Sequence, residues 1–255
     1  MGVLIGGVSQ LYQGDLDLGR RVAARLVEAP PSGPDVRVED LYYGAVAIAQ
    51  RLEELTPSML LLIGAEQRGR VPGSIERRRI RQLDLRADEV QIAVGDSVTG
   101  YVGIDLIVEV AWGLGVLPGR TVALEVEPLT TGPDTELSDL GSEALERVLA
   151  MARLEVGRVP LLELAGELRA ELAERPLEPS PALEATEDVL AALEVLDAEG
   201  RWGEAFAARD RLRSAISAGQ LGEGMTALDW GLWWSLIEEL DRLAAHEGAV
   251  QPAAE

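Results

Sequence analysis

The 255-residue chain sets 44 acidic residues against 23 basic ones, for a formal charge of −21, a field that repels nucleic-acid phosphates and anionic membranes and favours protein or cationic partners. It has no cysteine, which excludes disulfides, thiolate metal centres and a cysteine nucleophile; it has no lysine either, which excludes Schiff-base chemistry. Hydrophobic residues make up 47% of the chain, enough for a sizeable core; with no basic region before Val3 and no membrane-spanning run, a cytoplasmic protein is expected.

Short apolar runs at 2–8, 35–39, 58–64, 89–94 and 120–126 read as strands. Between them, 17–28, 44–55 and 102–115 carry apolar residues at helical spacing, and 138–155 does so after Ser138, which is placed to cap it. This alternation predicts an α/β domain with a parallel sheet over 1–157. Beyond it the strands stop. "LLELAGELRAELAERP" reads as a helix and "LEPSPAL" as a proline-bearing linker, together 158–180. An all-helical extension follows over 181–250, with helices at 181–198, 202–217 and 225–246 whose apolar stripes fit an antiparallel bundle.

Open α/β sheets place their chemistry in the loops at the carboxyl ends of the strands. The first such loop, in "GGVSQLYQGDLDLGRRVAARL", holds Asp15 and Asp17 with Leu16 between them. "RGRVPGSIERRRIRQLDLR" gathers Arg68, Arg70, Arg77, Arg78, Arg79, Arg81 and Arg86. Such a cluster receives an acidic segment or a phosphate, or else pairs with neighbouring acids, and the second reading is preferred. It lacks interleaved aromatics, so nucleic acid is not expected. In "DWGLWWSLIEEL", Trp230, Trp233 and Trp234 share a helix face. That face reads equally as bundle core and as an anchor for a partner or a second copy. At least one, Trp233 or Trp234, is expected at an interface, which makes the extension the route to a protein partner or to self-association. "GYVGIDLIVEVAWGLGVLPG" lacks the G-x-G-x-x-G order, and its Gly113 and Gly115 fall where helix C-caps belong, so no nucleotide is expected.

The opening segment resembles that of the hydrogenase maturation proteases, which reads G-x-G-N-x-L-x-x-D-[DE]-G-x-G-x-x-V: Leu4, Ile5, Asp15, Gly19, Arg21 and Val22 fall in step, and Gln10 replaces the family's Asn. Four later pieces follow in order: "VRVEDLYYGAVAIAQRL", "SMLLLIGAEQRGRVPGSI", "SVTGYVGIDLIVEVAWGLG" and "VALEVEPLTTGPDTELSDLGSEALERVLAMA". The resemblance covers residues 1 to about 155 and implies a three-layer α/β/α domain around a mostly parallel twisted sheet. It also implies a protease that clips a C-terminal peptide from the nickel-loaded large subunit of a [NiFe] hydrogenase. The metal-ligand positions it implies are Leu16, Gly64 and Gly100, none with a side-chain donor, whereas nickel and zinc need imidazole or carboxylate. The single histidine, His246, lies in the tail. The expectation is therefore a catalytically degenerate, maturation-protease-like protein that acts by binding, without metal or cofactor. The alternative is an active endopeptidase with a displaced acidic site drawn from Asp15, Asp17, Glu66, Asp96 and Asp105, a carboxylate set of the kind that holds Mg2+ or Ca2+.

Overall fold

Strands β1 (Val3–Val8), β2 (Val36–Asp40), β3 (Met59–Ala65), β4 (Ile75–Ile80) and β5 (Arg120–Val126) form one sheet in the order β2-β1-β3-β5-β4 in this computed structural model. All pairings are parallel except β4 with β5. The structure describes residues 2–33, 35–81, 83–97, 102–174, 177–222, 225 and 230–247, excepting the side chains of 246 and 247. The chain divides into two compact units, Met1–Val156 and Gly157–Glu255. Among the described residues no helix is long and apolar enough to cross a membrane.

In the first unit, helices α1 (Leu18–Glu28), α2 (Ala45–Leu55), α3 (Ala87–Asp96), α4 (Ile104–Gly113) and α5 (Asp139–Gly157) flank the sheet. Leu4, Leu60, Leu62 and Ala123 pack with Ile48, Leu52, Ile104 and Ile107 on one face. Alternation along each strand turns Ile5, Leu61 and Ile63 to the other face, where α1 lies. There, a Cβ on Gly19 would come within 2.1 Å of the Val8 carbonyl oxygen, so glycine is what lets α1 approach β1 and β3. The chain runs from β1 outward to β2, then crosses back to β3 on the other side of β1, which makes the carboxyl ends of β1 and β3 the topological switch.

One strand differs from the sequence reading. Residues 89–94, expected as a strand, lie inside α3, whose first turn is closed by Glu89 accepting from the Arg86 N–H at 2.8 Å. The remaining strand is instead "IERRRI", β4, antiparallel at the sheet edge. Its alternating side chains are arginines satisfied by ion pairs from both faces, so its burial carries no apolar signature.

The second unit comprises α6 (Val159–Glu174), α7 (Pro181–Glu199), α8 (Ala205–Ser217) and α9 (Trp230–Glu247). Each helix packs on two others: α7 on α6 and α8, α9 on α6 and α8. Leu161 and Leu168 of α6 share a core with Leu193, Leu212 and Leu240. In the proline-bearing segment, Leu177 packs on that core and the buried Ser180 caps α7, its Oγ accepting from the Leu183 N–H at 3.2 Å.

Candidate functional site

The acids of the first loop are built into the fold rather than presented to a cleft. Asp15, in a 3-10 turn over Gly14–Asp17, is fully buried. Its carboxylate accepts from the N–H groups of Leu129 (2.9 Å), Thr130 (3.1 Å) and Ser138 (2.8 Å) and from Ser138 Oγ (2.8 Å). Ser138 in turn caps α5, its Oγ accepting from the Gly141 N–H at 3.0 Å. Burial pushes the Asp15 pKa up, but the bonds from Ser138, Thr130 and Leu129 outweigh it and hold it below the usual value. Asp17 is chelated by Arg20 through Nε at 2.7 Å and through the short contact from its second nitrogen, with Arg21 Nε at 3.4 Å.

Among the described residues, the switch region is filled by backbone and helix caps. Leu16 lends its carbonyl oxygen to the Gln10 N–H at 3.0 Å. Gly64 ends the register of β3 with β1 opposite Val8, and a Cβ there would lie 2.9 Å from the Val8 carbonyl oxygen and 3.4 Å from Ile104 Cδ1. No side chain of any kind fits at 64 without moving backbone. Gly100 lies outside the described residues. Glu66, two residues on, turns to α4 and accepts from the Ile104 N–H at 2.7 Å, so it caps that helix with a charge of the favourable sign. Burial raises its pKa against the opposing effect of that bond. Asp96 is exposed at the end of α3. Asp105 is held by Arg68 at 2.6 Å and Arg78 at 2.5 Å. Among the described residues no three acids or histidines are arranged to hold a metal ion. Leu16 and Gly64 supply no side-chain donor for the nickel centre that the resemblance implies.

The arginines pair mainly with neighbouring acids. Glu125, at the end of β5, meets Arg78 at 2.6 Å, Arg68 at 3.2 Å and Arg70 at 3.4 Å. Glu127 accepts from the N–H groups of Arg68 (2.9 Å) and Gly69 (3.0 Å). Arg77, a candidate partner-binding residue in the sequence reading, is buried against Glu155 with nitrogens at 2.7 and 3.0 Å. Arg79 donates to the carbonyls of Ile80, Thr121 and Gly119. Arg78, its side chain partly exposed, is engaged by Glu125 and Asp105. These guanidiniums bind the sheet edge to α4, α5 and the loops.

The three tryptophans divide. Trp233 is wholly buried, and its indole N–H donates to Thr186 Oγ1 of α7 at 3.0 Å, so it is core and no surface anchor. Trp230 is half-buried against it, ring centres 5.6 Å apart. Trp234 is 42% exposed. Adjacent helix positions point about 100° apart, and burial of one leaves the other outside.

Sequence reasoning missed a group of exposed apolar side chains on the loops at the carboxyl edge of the sheet: Leu11, Tyr12, Tyr42, Tyr43, Val71 and Leu129. The available signal was the tyrosine pair directly after β2, an unusual choice for a strand-to-helix loop.

No family model and no curated protein matches the chain. Solved structures do. The hydrogenase 2 maturation peptidase from Thaumarchaeota archaeon SCGC_AB-539-E09 is similar at 22% identity, over 62% of this chain and 99% of that one, with a TM-score of 0.44. The [NiFe] hydrogenase maturation protease HycI from Thermococcus kodakarensis KOD1 is similar at 20% identity, over 59% and 89%, with a TM-score of 0.43. An endopeptidase from Escherichia coli is similar at 19% identity, over 63% and 94%, with a TM-score of 0.47.

Proposed function

We propose that this chain is a non-catalytic relative of the hydrogenase maturation proteases, which holds a protein partner at the carboxyl edge of its sheet during assembly or maturation of a hydrogenase-related complex. The five sequence pieces that resemble that family, in order, support the scaffold part of the reading. The observation that supports the non-catalytic part is Gly64: at the position that would supply a carboxylate, a Cβ would lie 2.9 Å from the Val8 carbonyl oxygen, so a side chain there requires the β1 backbone to shift. Leu16 adds no donor, and the nearby acids Asp15, Asp17 and Glu66 are each engaged within the fold. The concentration of exposed apolar side chains on the carboxyl-edge loops supports partner binding there.

The test uses the purified protein and an unprocessed [NiFe] hydrogenase large subunit, nickel-loaded and still carrying its C-terminal extension. The expected result is a stable complex by light scattering, with the mass of the large subunit unchanged in mass spectrometry. Calorimetry with Ni2+ or Zn2+ is expected to give no stoichiometric micromolar site. Absence of a complex overturns the binding reading, and a shortened large subunit overturns the non-catalytic one. A second reading, an endopeptidase using a displaced acid, is favoured by one observation only: Glu66 is a half-buried carboxyl with a raised pKa at the switch, the environment of a general acid or base. Under it, Glu66→Gln abolishes the shortening.

A further inference from the structure

The loops that leave β1 and β2 emerge side by side, because Gly7 pairs in register with Asp40 and the Leu41 N–H donates to the Gly7 carbonyl at 2.8 Å. Each carries exposed tyrosine. Tyr12 is 66% exposed at a backbone φ of +62°, a left-handed conformation unfavourable for an aromatic residue. The fold holds it there through the Asp134 N–H, which donates to its carbonyl at 3.0 Å. Strain retained in order to project a ring into solvent is a mark of a functional surface. On the other loop, Tyr42 and Tyr43 meet edge to face with ring centres 5.9 Å apart. Tyr43 is fixed by its hydroxyl, which donates to Glu39 Oε2 at 3.3 Å, and Glu39 is itself clamped by Arg51.

Asp40 is the acid of this corner that lacks a clamp. Asp17 has Arg20 and Glu39 has Arg51. Asp40 accepts a long bond from Ser9 Oγ at 3.5 Å, and among the described residues no cation reaches it as an ion pair. Burial and the neighbouring Asp17 raise its pKa, with Arg20 offsetting in part. Beside it, β2 is the last strand of the sheet. The Asp35 carbonyl and the Leu41 N–H turn inward to β1, so the backbone groups of Val36, Val38 and Asp40 turn to the open edge, and no described backbone group pairs with them.

We propose that this corner takes an extended segment of a protein partner carrying an arginine, its backbone along the free edge of β2 and its guanidinium on Asp40, flanked by Tyr12 and Tyr42. Arginine suits the place because its planar cation both stacks on aromatic faces and engages a carboxylate through paired donors. The chain's charge of −21 draws a cationic segment in preference to an acidic one, and strand addition supplies the main-chain part of the affinity. The inference rests on the reading that this protein works by binding a partner.

The test is an NMR titration of the full 15N-labelled chain with a blocked valine-threonine peptide carrying one central arginine, beside the same peptide carrying citrulline. Shifts are expected in 9–13 and 36–43. Citrulline, Asp40→Asn and Tyr42→Ala should each weaken binding at least about tenfold, as loss of a charge-assisted or stacking contact does. Tyr42→Ala changes an exposed side chain and keeps the test valid should Asp40→Asn perturb the fold. Equal binding of the citrulline peptide, shifts centred elsewhere, or no binding overturns the proposal. Those failures are distinct from failure of the functional reading, which is decided by whether the unprocessed large subunit forms a complex at all.

Discussion

Replacing Trp233 by aspartate is expected to unfold the helical unit Gly157–Glu255. Truncation of a buried tryptophan costs about 3–5 kcal/mol in lost packing. The aspartate adds a carboxylate with no partner in an apolar core, bringing the total to about 5 kcal/mol or more. It also leaves the Thr186 hydroxyl without its indole donor, although that hydroxyl keeps its own bond to the Ala182 carbonyl at 2.7 Å. The neighbouring Trp234→Asp touches a side chain 42% exposed and should change stability by no more than about 0.5 kcal/mol. Near-UV circular dichroism separates the two cases, since four of the five tryptophans lie in this unit. The first variant should lose the signal at temperatures where the second keeps it. Light scattering on Trp234→Asp then reads whether that ring anchors a second copy: a fall in mass with the fold intact assigns it to an interface, and an unchanged mass removes it from self-association.

Asp15→Ala is expected to destabilise the first unit by about 4 kcal/mol, because three N–H groups and one hydroxyl lose a common charged acceptor, each such bond contributing about 1.5–3 kcal/mol before relaxation and water recover part of it. The loss is structural as well as energetic. Asp15 joins the loop after β1 to the loop after β5 and to the start of α5 through residues more than a hundred positions away, so its removal frees all three at once. The effect depends on pH with a definite sign. The native pKa is lowered from the ordinary 3.8, so the stabilisation is fully present above that unfolded value and is lost as pH falls through the lower native value. Urea titrations of wild type and variant at about pH 7 and about pH 3 should show the gap narrowing in acid. A gap that stays constant or widens would contradict the carboxylate's role.

What was readable in the sequence follows from how each element is buried. β1, β3 and β5 are covered on both faces, so "VLIGGV", "MLLLIGA" and "RTVALEV" are near-continuous apolar runs and declare themselves. β4 is absent from the apolar strand candidates because its packing is electrostatic, as the preferred reading of the arginine stretch has it: Arg77 reaches Glu155 and Arg78 reaches Glu125, partners 78 and 47 positions away that no local pattern identifies. "EVQIAV" was misread as a strand because a short run of β-branched residues is ambiguous by periodicity alone. The capping pair Arg86 and Glu89 was the signal that would have decided it. In the site, the identities of Leu16 and Gly64 were legible in the sequence. The roles of Asp15, Asp17 and Glu66 were not, because a carboxylate's function depends on which donors surround it, and those donors come from the loop after β5, from α1 and from α4.

The close approach of β1 to Gly64 bears on redesign. To place a carboxylate there, a substitution must first push the Val8 carbonyl oxygen away from a Cβ 2.9 Å distant, at the last pair of the parallel register of β3 with β1. The intermediate would lose stability before it gained any coordination, and coordination needs further ligands at 16 and 100 that a single change does not supply. A metal site built at this corner is therefore separated from the present fold by a stability barrier. An engineer seeking to cross it would have to rebuild the β1 to β3 spacing before choosing a ligand.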